Sequence, residues 1–165
     1  MVMNINNFIF LCVGDTTVLF DSLGGVVGDL LKSKNIPAPV FGGSDFCITT
    51  KNIKQVVDCV KQVYKDKKIV IIDCTCTDVN LTNNNLNFEY NFLTKETILK
   101  KYAKQKIELK QGVVNIANIN YECGDYNILC ETFFMLKNKI YSINFKDVLL
   151  LANRIVDKIF DFFKI

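Results

Sequence analysis

The sequence predicts an α/β protein with three layers, α/β/α, around a mostly parallel sheet. Two apolar runs carry this expectation: FIFLCV at Phe8–Val13, and Ile69–Ile72 within KIVIIDCTCTD. Both lack the alternation of a half-exposed strand and read as strands buried on both faces. Between them lie two stretches of helical periodicity separated by a short apolar pair, which gives β-α-β-α-β in the first half of the chain. Crossover helices between buried strands imply parallel pairing.

The elements follow in order. The first strand ends at Gly14, and a polar loop leads to DSLGGVVGDLLKSKN, a helix from Asp21 that Asp21 or Ser22 can cap. Its Leu23, Val26, Val27, Leu30 and Leu31 recur at helical spacing. Pro37 and Pro39 punctuate the chain before a short strand at Val40 and Phe41. NIKQVVDCVKQVYKDK, from Asn52, is amphipathic: Ile53, Val56, Val57, Val60 and Val63 share one face and the lysines the other. The third strand runs over Ile69–Ile72 and ends at Asp73.

In the second half, the Asn-rich stretch Asn80–Asn87 reads as a loop leading to a strand near Phe88–Phe92, with a short helix from Thr94. GVVNIANINY, from Gly112, alternates as a strand does, and YNILCETFFMLKN is apolar enough for a buried helix. NFKDVLLLANRIVDKIFDFFKI closes the chain as a helix capped by Asn144, with Val148, Leu151, Ile155, Ile159 and Phe162 on its core face. No repeat or linker interrupts residues 1–165, so one domain is expected.

Composition narrows the function. The chain of 165 residues is 50% hydrophobic and 22% charged, a globular balance. A net charge of +3 and the lone Arg154 give no basic stripe, which argues against nucleic acid. No apolar run reaches the roughly 18 residues of a membrane span, and no signal peptide is expected, so the reading is cytoplasmic without a membrane partner. The seven cysteines are scattered and lack zinc-site spacing. Histidine is absent, which excludes Ser-His-Asp and Cys-His chemistry built from this chain. No metal and no cofactor is expected.

In a sheet ordered 2-1-3, the first and third strands are neighbours from which the chain winds in opposite directions. Ligands of such sheets bind at this switch point. Asp21 and Asp73, 52 residues apart, converge there, and the loop from Gly14 to Phe20 forms a wall of the same crevice. Two carboxylates within roughly 3 to 6 Å can share a proton as base and acid, or hold a cation. Asp21 can instead cap its helix, and Asp73 can form a turn. Cys74 and Cys76 flank the crevice as inert thiols, with no nearby base to activate them.

CVGDTTVLFDSLGG resembles the loop of sporulation proteins of the YyaC type, Cys-Ile-Gly-Thr-Asp leading to Asp-Ser-Leu-Gly-Pro. It is also similar to the Pro-Asp-Ala-Leu-Gly-Pro stretch of the germination protease of bacterial spores. IVIIDC resembles the Ile-Asp-Ala strand end of both and, more distantly, of hydrogenase maturation proteases. ETFFMLKNKI, Glu131 to Ile140, resembles a late helix of the YyaC type. The resemblance implies a phosphorylase/hydrolase-like fold and an aspartic peptidase in which Asp21 and Asp73 are catalytic. Gly14, Asp15, Thr16, Thr17 and Gly24 would then meet a protein or peptide substrate, with donors from Gly14 to Thr17 stabilising the oxyanion. The chain departs from the pattern at Phe20 (Gly in the family), Gly25 (Pro) and Thr49 (often His). These departures suit a second reading, a sporulation-associated binding protein that keeps the crevice without turnover. A divalent-metal-dependent hydrolase is a third.

Overall fold

The computed structural model describes residues 3–76, 108–111, 114–116, 119–121, 124–136 and 139–165. Strands β1 (Phe8–Cys12), β2 (Val40–Phe41), β3 (Lys68–Cys76), β4 (Glu108–Gln111), β7 (Tyr126–Leu136) and β8 (Lys139–Ser142) form one sheet. Its order is β2-β1-β3-β7-β4, with β8 also on β7. β2, β1, β3 and β7 run parallel, while β4 and β8 are antiparallel to β7. The helices are α1 (Leu23–Ser33), α2 (Ile53–Val63) and α3 (Phe145–Phe163).

Strand parity builds the layers. Phe8, Phe10 and Cys12 of β1, with Val70, Ile72 and Cys74 of β3, pack beneath α1 and α3. Ile9, Leu11, Ile69 and Ile71 face α2 on the other side. Apolar residues at both parities are what a sheet covered on two faces requires. The fold is therefore three-layer α/β/α with a mostly parallel sheet, as the sequence predicts.

α3 begins at its expected cap, with Asn144 Oδ1 accepting the Asp147 N–H at 2.9 Å. That cap is worth about 1 kcal/mol. Leu151, Ile155 and Ile159 are almost wholly buried, at roughly 1.5 to 3 kcal/mol apiece, so packing holds this helix more than capping does. Its stripe closes on Phe163, four residues after Ile159. Phe162, expected on the core face, is 49% exposed.

Two readings of the second half need correction. YNILCETFFMLKN is not a helix: Tyr126–Leu136 is the long strand β7, and Lys139–Ser142 pairs back on it. The likeness of Glu131–Ile140 to a late helix falls with it. The stretch from Gly112 supplies two short strands, β5 (Val114–Ile116) and β6 (Ile119–Tyr121), antiparallel in a separate sheet. The expected loop at Asn80–Asn87, the strand near Phe88–Phe92 and the helix from Thr94 lie outside the described residues. Among the described residues, no helix is long and apolar enough to cross a membrane.

Candidate functional site at the carboxyl ends of β1 and β3

β1 stops at Cys12, paired with Ile72, and Val13 N–H closes the ladder on the Ile72 carbonyl at 2.8 Å. β3 continues to Cys76, so Asp73 is the first residue beyond its pairing with β1. It lies inside the strand rather than at its end, paired with Leu129 of β7, and is only 4% exposed. One oxygen of the Asp73 carboxylate accepts the Cys74 N–H at 2.7 Å.

Asp21 reaches the same place from a short 3₁₀ turn, Leu19–Asp21, set before α1. It does not cap the helix. Ser22 holds the N-cap position, and its hydroxyl donates to the Leu19 carbonyl at 2.9 Å. The Asp21 carboxylate turns back into the crevice, where Oδ2 accepts the Asp15 N–H at 2.9 Å and Oδ1 faces the Cys74 thiol at 3.6 Å. An oxygen each of Asp21 and Asp73 and the Cys74 sulfur lie within 4.8 Å of one another. This spacing admits a shared proton, a bridging water or a divalent cation.

The electrostatics fit a crowded acidic site. Burial pushes the Asp21 carboxyl above the ordinary carboxylate range and the Asp15 charge adds to it, while the Asp15 N–H and the Cys74 thiol pull the other way. Burial raises the Cys74 thiol well above its usual value, and the Asp73 and Asp21 charges raise it further. Cys74 is thus a neutral donor and not a thiolate nucleophile.

The loop residues divide by role. Gly14, at φ +141°, has a backbone that side chains rarely adopt, and a Cβ there would lie 2.0 Å from the Asp21 carbonyl oxygen. At Gly24 a Cβ would come 1.9 Å from the Val13 carbonyl oxygen and 2.7 Å from that of Ile72. Both glycines seat the start of α1 on the ends of β1 and β3. Asp15 is occupied locally: its Oδ1 accepts the Thr17 N–H at 2.9 Å and the Thr17 hydroxyl at 2.6 Å, which hold its carboxyl below the ordinary value. The Thr16 hydroxyl lies 3.9 Å from the Cys47 sulfur. The expectation of oxyanion donors from Gly14 to Thr17 is narrowed, because the amides of Gly14, Asp15 and Thr17 are bonded to Ile48 O, Asp21 Oδ2 and Asp15 Oδ1. Thr49, the histidine position of the resemblance, starts the approach to α2: its N–H bonds Asn52 Oδ1 at 2.8 Å, and its carbonyl accepts from Asn52 and Ile53.

Residues 1–158 match a family described as a protein of unknown function, DUF1256. The chain belongs to DUF1256. No curated protein and no solved structure matches it.

Sequence reasoning missed two contributors to this DUF1256 site. One is Cys74 as a hydrogen-bond donor to Asp21, which strand parity next to Asp73 could have suggested. The other is Thr132 of β7, fully buried, whose hydroxyl donates to the Phe20 carbonyl at 3.0 Å. With that stretch read as a helix, nothing pointed to it. An apolar cavity of about 360 Å³ lies elsewhere, at the opposite ends of the strands, lined by Phe8, Phe10, Val70, Tyr126, Ile128 and Phe163 among others. It holds none of the site residues.

Proposed function

We propose that this DUF1256 chain is a sporulation-associated peptidase of the YyaC and germination-protease kind, acting in the cytoplasm of a spore-forming cell or forespore. The supporting observation is the approach of the Asp21 and Asp73 carboxylates at the switch point of the sheet, with Asp21 diverted from helix capping. In this reading the pair holds one proton between them, as close carboxylates do. The ionised member takes a proton from water, whose oxygen attacks the peptide carbonyl carbon. The protonated member gives its proton to the leaving nitrogen as the C–N bond breaks. Thr16 is left as the loop amide for the oxyanion, and Cys74 holds Asp21 in orientation.

The test is cleavage of a pool of small acid-soluble spore proteins and unstructured peptides, followed by mass spectrometry. Asp21→Asn and Asp73→Asn should each reduce turnover at least 100-fold, in line with the size of general acid–base contributions. Undiminished cleavage by Asp21→Asn would remove the assignment.

The second reading is a binding protein that keeps the crevice without turnover. The observation that favours it is Thr49, whose backbone is committed to the start of α2 where relatives of the YyaC type often carry histidine. Retention of a spore protein by both wild type and Asp21→Asn, with cleavage by neither, would select this reading.

A further inference from the structure

The 3₁₀ turn that carries Asp21 is three residues long, and so short a turn has poor hydrogen-bond geometry of its own. Beyond the turn's own bonds, Asp21 N–H to the Val18 carbonyl and the Ser22 hydroxyl to the Leu19 carbonyl, each at 2.9 Å, β7 holds it at two consecutive residues. Thr132 donates its hydroxyl to the Phe20 carbonyl at 3.0 Å. Thr132 is fully buried, so removing its hydroxyl would take this donor from the Phe20 carbonyl where little water can replace it. Phe133 packs its ring on that of Phe20, with centroids 5.3 Å apart and planes at 58°. Backbone and side chain of the residue just before Asp21 are thus both held by one strand. At Phe133 that strand is paired with Cys76 of β3 on one side and Ser142 of β8 on the other. Phe20 stands where the YyaC-type pattern that this loop resembles carries glycine, which has no ring to be gripped.

We propose that Thr132 and Phe133 are positioning residues that hold the Asp21 carboxyl at the site by clamping Phe20. Their part in turnover rests on the peptidase reading, but the clamp itself can be read without any activity. The Asp21 carboxyl faces Asp15 from its own loop and Asp73 and Cys74 from β3. Its NMR titration midpoint in the full chain, followed through the carboxyl carbon, reports how far it is held out of water.

Thr132→Val keeps the shape and removes the hydroxyl. It should lower the Asp21 midpoint toward the ordinary carboxylate value as water reaches the loosened turn, and Thr132→Ser should restore the wild-type midpoint. Phe133→Leu, which leaves the hydroxyl in place, should move the midpoint in the same direction and serves if Thr132→Val does not fold. Variants that lose stability in urea while the Asp21 midpoint stays at its wild-type value would show β7 to be a mere support, and would overturn the proposal. Loss of cleavage in Asp21→Asn is a separate result, so failure of the peptidase reading leaves this outcome legible. Where cleavage is measured, Thr132→Val should lower kcat with KM little changed, because a displaced acid or base affects the transition state more than ground-state binding.

Discussion

The Cys74 sulfur lies 3.6 Å from Asp21 Oδ1, on the residue directly after Asp73. Successive strand residues point to opposite faces, so one step of β3 wraps two different groups around a carboxylate delivered from the β1–α1 loop. Cys74 shares the parity of Val70 and Ile72 toward α1, whereas Asp73 has the parity of Ile69 and Ile71. With the thiol neutral, the arrangement is a donor meeting an acceptor. The crevice therefore keeps its negative charge on carboxylates.

Thiol chemistry should follow the same division. Cys59 is exposed on α2, while Cys12 and Cys74 are buried. Burial pushes the Cys12 thiol up to about 12. Iodoacetamide at mildly alkaline pH, read by peptide mass spectrometry on the folded protein, should modify Cys59 and spare Cys12 and Cys74. Alkylation of Cys74 as fast as Cys59 would mean an activated thiolate and would reopen nucleophilic catalysis.

The convergence of Asp21 and Asp73 was legible because it depends only on strand order and chain direction, both of which follow from buried strands joined by crossover helices. The use of Asp21 was not, since Asp-Ser before a helix is also a capping signal, and only three-dimensional competition from the Asp15 amide and the Cys74 thiol turns the carboxylate away. β7 was misread for a related reason. A largely apolar stretch of eleven residues, broken by Asn127, Glu131 and Thr132, is long for a strand, and its periodicity alone does not separate buried strand from buried helix. What decides it is pairing with β3 on one edge and β4 on the other, contacts made across the sequence. Thr132 became invisible as a consequence.

The seat of α1 against the sheet should be intolerant of a single methyl group. A Cβ at Gly24 would lie well inside contact distance of two backbone carbonyl oxygens, and neither can swing aside as a side chain can. Overpacking usually costs 1 to 3 kcal/mol. Gly24→Ala should sit at or beyond that upper end, about 3 kcal/mol, measured from the urea midpoint. A loss below about 0.5 kcal/mol, the level of a surface change, would show that α1 is not packed so closely here.

At the other end of the chain, packing and capping contributions to α3 can be separated. Asn144→Ala removes the acceptor for the Asp147 N–H and should cost about 1 kcal/mol. Leu151→Ala empties a site that is 1% exposed and should cost about 2 to 5 kcal/mol. Urea unfolding of both variants checks the ranking. An Asn144→Ala loss equal to that of Leu151→Ala would mean that α3 depends on its cap and not on its buried stripe.

Asp21 gives stability a pH dependence whose sign is fixed by the upward displacement of its native carboxyl. The unfolded chain holds this proton with an ordinary midpoint of about 3.9. Below that value both states are protonated and Asp21 contributes no difference. As pH rises from there to the raised native midpoint, the unfolded state releases its proton first, so the native state binds more protons and stability falls. Above the native midpoint the penalty is complete and constant. Asp15 is displaced in the opposite direction: its contribution is present above the ordinary value and is lost as pH falls through its lowered native midpoint. Asp15 remains in Asp21→Asn, so to first order it cancels when that variant is compared with wild type. The stability of Asp21→Asn relative to wild type should therefore increase across the window above about pH 3.9 and then level off. Urea unfolding of both proteins from about pH 3 to about pH 8 measures this difference. Curves that stay parallel throughout would place the Asp21 carboxyl in open water and remove the physical basis for its role as a proton-sharing group.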